Sequence, residues 1–144
     1  MKRGEMLCAV VAMMLLASAA NAATTTVYVY DDYFNPSDVN IQPGDTVHWF
    51  FYGFDPHTTT SSAGQLESWD SGTLNYFDAY DHIFTKIGTF NYFCEFHGYD
   101  AGGGQAGGMA GSIHVAPEPA TAALLAAGMG MVLRRNRKAA GRAN

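Results

Sequence analysis

In Tyr92-Phe93-Cys94-Glu95-Phe96-His97 a thiol and an imidazole stand with two residues between them, and a glycine-rich stretch leads on to Met109. Between residues 23 and 116, Cys94 is the only cysteine and Met109 the only methionine. Upstream, Asp55-Pro56-His57-Thr58 offers a second imidazole, with Pro56 fixing the backbone just before it. Thiolate, thioether and imidazole donors suit copper, and two His, one Cys and a weak axial Met compose a blue-copper electron-transfer site. A lone free cysteine is often just a small buried hydrophobe. Here the Pro-His upstream, the methionine downstream and the strand-like flanks point to a metal. His57, Cys94, His97 and Met109 are the expected ligands of one mononuclear copper.

The fourth ligand is the open one. Eleven residues, six of them glycine, separate His97 from Met109, and Gln105 in their midst offers an alternative axial oxygen. Met109 is favoured because it lies just before Gly111 and a strand that would fix its approach. Ordering a flexible loop around Gln105 would cost roughly 1–2 kcal/mol of backbone entropy per residue. Thr58, next to His57, is expected to bring a hydroxyl near the thiolate, since neighbouring groups must orient metal ligands. His48 beside Trp49, His82 beside Ile83, and His114 between Ile113 and Val115 read as strand residues rather than ligands. The aromatic residues, Trp49 and Phe90 among them, read as core.

Short strands must carry these groups. Thr24 to Tyr30 alternates and is rich in β-branched and aromatic residues, as a strand should be. Residues 31–36 read as a turn-rich connection, and Val39 to Ile41 as a second strand. Gln42-Pro43-Gly44-Asp45 is a turn: Pro presets φ and Gly takes the positive-φ position. Thr46 to Tyr52 is almost continuously apolar and reads as a strand crossing the core. Thr58 to Ser61 resumes extended structure, and Ser62 to Tyr80 reads as loops with room for one helical turn. His82 to Thr85, Thr89 to Phe93 and Ser112 to Val115 complete the strands. Many short strands with Gly/Pro turns and no helix-period segment predict a single all-β domain, a sandwich or a barrel.

Both ends read as targeting segments. Lys2 and Arg3, an apolar run from Met6 to Leu16 and Ala20-Asn21-Ala22 predict a signal peptide over residues 1–22. Cys8 lies inside it without the small residues that precede a lipidated cysteine. At the other end, Pro117-Glu118-Pro119 is followed by an apolar run from Ala120 to Leu133 and the basic Arg134-Arg135-Asn136-Arg137-Lys138. The run is shorter than the roughly 20 residues of a comfortable transmembrane helix. Its basic flank would remain on the cytoplasmic side. This order of parts resembles the PEP-CTERM sorting signal of Gram-negative bacteria. The resemblance implies export to the periplasm, transient membrane association, removal of the tail (residues 117–144) by an exosortase-type protease, and release to the cell surface or matrix. A permanent membrane anchor is the alternative.

The intervening domain, residues 23–116, holds eleven acidic residues against the single Lys86, a balance of −10 where the whole chain has −5. That charge argues against nucleic acid and against anionic lipid as partners. It permits steering toward a basic partner.

Pro43-Gly44-Asp45-Thr46-Val47 with Trp49, Pro56-His57, Gly88-Thr89-Phe90 with Tyr92-Phe93-Cys94 and His97, and Met109 with Gly111, Ile113 and Val115 together resemble a plastocyanin-like cupredoxin. The resemblance spans essentially the whole domain and implies a Greek-key β-sandwich with type 1 copper near one end. Its members carry single electrons between redox partner proteins, which the sequence does not identify. The long glycine-rich stretch before Met109 departs from that pattern. No enzyme is expected: a multicopper oxidase needs His-x-His clusters and a dinuclear copper domain needs a second loop cysteine. A surface or matrix protein that stores copper, or uses the sandwich structurally, remains the alternative to an electron carrier.

Overall fold

The structure, a computed structural model, describes residues 22–118 and Gly128. The expected signal peptide, apart from Ala22, and the tail beyond Glu118, apart from Gly128, lie outside the described residues. Among the described residues no helix is long and apolar enough to cross a membrane.

Eight strands form two four-stranded sheets: β1 (Thr24–Tyr30), β2 (Tyr33–Asn35), β3 (Asp38–Ile41), β4 (Thr46–Phe51), β5 (Thr60–Ser61), β6 (Ala79–Ile83), β7 (Gly88–Gly102) and β8 (Gln105–Val115). One sheet has the order β2-β1-β4-β6, the other β3-β8-β7-β5. β1 runs parallel to β4 and β3 parallel to β8, while the remaining neighbours are antiparallel. This is the all-β Greek-key sandwich that the strand pattern and the resemblance implied.

Alternation drives the packing. Val27 and Val29 of β1, Val47, Trp49 and Phe51 of β4, Phe90, Tyr92 and Cys94 of β7, and Ile113 and Val115 of β8 point inward and are buried. Trp49 meets Tyr92 edge-on at 5.5 Å between ring centroids and stacks on Trp69 at 5.7 Å, joining the two sheets through aromatic contacts. β4 is thus not apolar on both faces for burial's sake. Its outward Phe50 joins Tyr28 and Tyr52 in an aromatic layer on the outside of the first sheet, so not every aromatic residue is core.

Several boundaries differ from expectation. The stretch read as a connection over residues 31–36 contains β2, because Tyr33 to Asn35 turns back along β1 after only two residues. The strand expected at His82 to Thr85 lies earlier, at Ala79–Ile83, where it pairs with β4. Residues 62–78 contain no helical turn. They are held instead by Trp69, whose ring enters the core and whose Nε1 donates to Thr59 Oγ1 at 3.1 Å.

The largest difference is in the glycine-rich stretch. It is a hairpin: β7 continues to Gly102 and β8 begins at Gln105. Its tip folds back over the outer face of the second sheet. Gly104 N–H donates to Ala63 O at 2.9 Å, and Asn91 Nδ2 donates to Gly104 O at 2.6 Å. Asp100 Oδ2 accepts from Ala63 N–H at 3.0 Å. That bond, with another from Gly102 N–H, holds the Asp100 carboxyl below the usual carboxylate range.

Candidate metal centre

Beyond Phe51 the chain leaves β4 and turns through Gly53 to His57. A two-way backbone pair with Leu74 pins His57: its N–H reaches Leu74 O at 3.1 Å, and Leu74 N–H reaches its carbonyl at 2.9 Å. The His57 ring is fully buried. Cys94 arrives from the other sheet on the inward face of β7, also fully buried.

Immediately after Cys94 the β7–β8 ladder opens. The strands are in register at Phe93 with Ala110 and again at Gly98 with Gly108. Between those pairs Cys94, Glu95, Phe96 and His97 face Met109 alone. Such a bulge bends its strand and re-aims side chains, and here it turns His97 back toward Cys94 and His57.

The three donor atoms converge. His57 Nδ1 and His97 Nδ1 each lie 3.6 Å from Cys94 Sγ, and 3.1 Å from each other. Metal bonds of about 2.0 Å to imidazole nitrogen and 2.3 Å to thiolate sulfur, as zinc makes, hold neighbouring donors about 3–4 Å apart. The separations fit a single ion. The donor chemistry agrees: His57 Nε2 bonds Asp31 Oδ1 at 3.1 Å, which assigns the ring proton to Nε2 and leaves a bare lone pair on Nδ1. Lone pairs gathered in a buried space need a cation or a proton among them. Among the described residues this is the one group of three His, Cys, Asp or Glu side chains able to hold a metal.

No family model matches the chain. Solved structures do resemble it. The copper(I) form of an amicyanin variant has 25% sequence identity and a TM-score of 0.54, covering 69% of this chain and 88% of that one. A reduced amicyanin variant has 24% identity with the same coverage and a TM-score of 0.54. A purple cupredoxin from Nitrosopumilus maritimus has 22% identity and a TM-score of 0.52, covering 67% of this chain and all of that one.

The chain has the cupredoxin fold. Within it, three of the expected ligands, His57, Cys94 and His97, come together, and Met109 sits buried in the opening of the ladder. His97 is the half-exposed member of the set, with Phe96 exposed beside it. Gln105 is placed elsewhere: it is exposed, pairs with Gly102 at the hairpin tip, and lines a cleft with Ser37 and Ser112 on the outside of the sheet.

The other histidines have other partners. His48 Nδ1 bonds Asp81 at 2.6 Å, and His114 Nδ1 bonds Thr89 Oγ1 at 3.1 Å. His82 stacks on Trp69, and burial pushes its imidazole below the usual pKa despite Glu67 at 3.8 Å. Thr58 is the right residue with the wrong group. Its backbone N–H approaches Cys94 Sγ at 3.4 Å, while its hydroxyl accepts from Glu95 N–H at 2.9 Å and bonds Thr60 Oγ1 at 2.9 Å.

Sequence reasoning missed two residues. Asp31, in the β1–β2 turn, reaches His57 across the top of the sandwich and also accepts from Asp55 N–H at 3.1 Å. Those bonds, Asp55 first and then His57, hold its carboxyl below the usual range. Gly53 lies against the same contact, where a Cβ would come within 2.4 Å of Asp31 Oδ1 and 2.8 Å of His57 Nε2. No local spacing signals either residue.

Proposed function

We propose that the chain is an exported type 1 copper protein that carries single electrons between redox partners; His57, Cys94 and His97 would hold the copper, with Met109 as the weaker fourth donor. The observation that carries this reading is the convergence of two imidazole Nδ1 atoms and one buried thiol to within 3.1–3.6 Å. Copper in such a set supplies a one-electron couple between Cu(I) and Cu(II), and the weak axial donor tunes its potential.

The protein's residues hold the geometry. Leu74 and Asp31 fix the His57 ring from the backbone side and the far nitrogen. Thr58 N–H donates toward the Cys94 sulfur and helps to orient it. The buried His57, Cys94 and Met109 leave the half-exposed His97 edge as the side on which an electron enters or leaves. The amicyanin and purple cupredoxin likenesses support the fold in which this site is built.

Visible absorption and reversible reduction of the copper-loaded protein test the reading. An intense blue or purple charge-transfer band is expected, lost in Cys94→Ser while far-UV circular dichroism keeps its β-sheet signature. A colourless or redox-silent copper adduct overturns the electron-carrier reading in favour of storage or structure. For the tail, an exosortase-type protease acting at the Pro117-Glu118-Pro119 region accounts for the order of its parts, so surface protein should lack Arg134 to Asn144 by mass spectrometry. An intact C-terminus on membrane-bound protein would mean a permanent anchor.

A further inference from the structure

We propose that Asp31 is a positioning residue of the copper site: through His57 Nε2 its carboxylate sets the ring's tautomer and lowers the reduction potential of the bound metal. The inference rests on the copper reading of His57, Cys94 and His97.

The geometry is that of a carboxylate–histidine–metal chain. His57 presents Nδ1 to Cys94 and His97 and turns Nε2 the other way, to Asp31 Oδ1 at 3.1 Å. A histidine whose far N–H is held by a carboxylate is fixed in rotation and tautomer, and its metal-side nitrogen is a stronger base. Every other contact of Asp31 serves the same placement. The residue opens the two-residue turn between β1 and β2, closed by the Tyr30–Tyr33 pair, with Asp32 at φ 69° reversing the chain. Its Oδ1 also accepts from Asp55 N–H, so one oxygen ties together the turn, the loop before His57 and the ring itself.

Gly53 is the second, independent sign that the contact is built. A Cβ there would lie 2.4 Å from Asp31 Oδ1, 2.8 Å from Asp31 N and 2.8 Å from His57 Nε2. Its φ is not in the left-handed region, so backbone conformation does not demand glycine. Room for the Asp31–His57 pair does.

Oxidation from Cu(I) to Cu(II) adds one positive charge to the site. A negative charge delivered through the imidazole stabilises the oxidised state more than the reduced one and lowers the potential. His57 is fully buried but the Asp31 side chain is 42% exposed, so solvent screens part of the effect. The expected size is therefore about a tenfold change in the ratio of Cu(II) to Cu(I) affinities, equivalent to about 59 mV for a one-electron couple.

The test compares parent, Asp31→Asn, Asp31→Ala and Asp32→Asn. Asparagine keeps an oxygen acceptor for Nε2–H but removes the charge. Its potential should rise by about that tenfold ratio with the blue band retained. Alanine removes acceptor and charge, and should weaken copper binding by roughly 10- to 100-fold. Asp32→Asn removes an adjacent exposed charge that makes no bond to His57, and should leave the potential at the parent value. Nitrogen-15 NMR of the metal-free protein supplies a readout independent of copper: the neutral His57 ring should carry its proton on Nε2 in the parent and lose that bias in Asp31→Ala. An Asp31→Asn potential equal to the parent's, or an equal shift in Asp32→Asn, overturns this inference alone. A parent protein without a coloured, reversible copper couple overturns the copper reading and this inference with it.

Discussion

Met109 is the single β8 residue opposite the four-residue opening that carries Cys94 and His97, and it is buried there, whereas Gln105 is exposed at the far end of the hairpin. Replacing Met109 with Leu keeps volume and apolar character but removes the thioether. The potential should rise, on the order of one tenfold step in relative Cu(II)/Cu(I) affinity or about 59 mV, while the band set by the trigonal plane survives. Gln105→Ala should change neither quantity in the same voltammetry and absorption measurements. A reversed pattern would make Gln105 the axial arm. At this scale the sequence was readable where donors are rare: one cysteine, one methionine and two well-placed histidines between residues 23 and 116 leave few alternatives. Asp31 was not readable, because it is one of eleven acids in that span and its value comes from a contact 26 residues along the chain. Thr58 shows the intermediate case. Proximity in sequence to His57 put it near the sulfur, but only the backbone's direction decides whether hydroxyl or amide faces Cys94.

The hairpin of β7 and β8 explains the glycines that looked like flexibility. At the base of the opening, a Cβ on Gly98 would lie 2.6 Å from Met109 O, and one on Gly108 would lie 2.7 Å from His97 O. Gly108 also sits at φ 71°, a conformation that costs other residues of order 1–3 kcal/mol in tight sites. Gly108→Ala should therefore lower stability by at least about 1 kcal/mol and shift the visible band, because the displaced backbone carries His97. Thermal unfolding and absorption of the same sample check both, and an unchanged band with parent-like stability would show that the junction has slack. The alternation of β1, β4 and the first half of β7 made those strands legible. Composition misled where long-range pairing decides. Glycine lowers strand propensity, yet Gly107 and Gly108 pair with Tyr99 and Gly98 because the hairpin folds back onto Asn91 and Ala63. β2 and β6 were displaced or missed for the same reason: each is short, and its limits are set by its partner rather than by its own residues.

Between residues 23 and 116 most of the charge lies on the surface around a buried site, Asp45 being the buried exception. Residues 23–116 hold eleven carboxylates and one lysine, and three of the acids, Asp31, Asp55 and Glu95, belong to the segments that present His57 and Cys94. A field of one sign steers oppositely charged reactants and repels like ones, and salt removes both effects as the Debye length falls from about 30 Å at 0.01 M to about 10 Å at 0.1 M. Electron transfer from the reduced copper protein to a cationic cobalt(III) polypyridine complex should therefore slow as salt is raised over that range. Transfer to anionic hexacyanoferrate(III) should accelerate over the same range. Stopped-flow growth of the visible band measures both rates on one preparation, and the comparison needs no matched driving force because each reagent serves as its own reference. Opposite salt slopes would mean that the acidic surface governs access to the His97 edge, and would direct the search for a physiological partner toward basic proteins. Two flat slopes would mean that the carboxylates lie too far from the point of electron exit to act, leaving the charge to solubility alone.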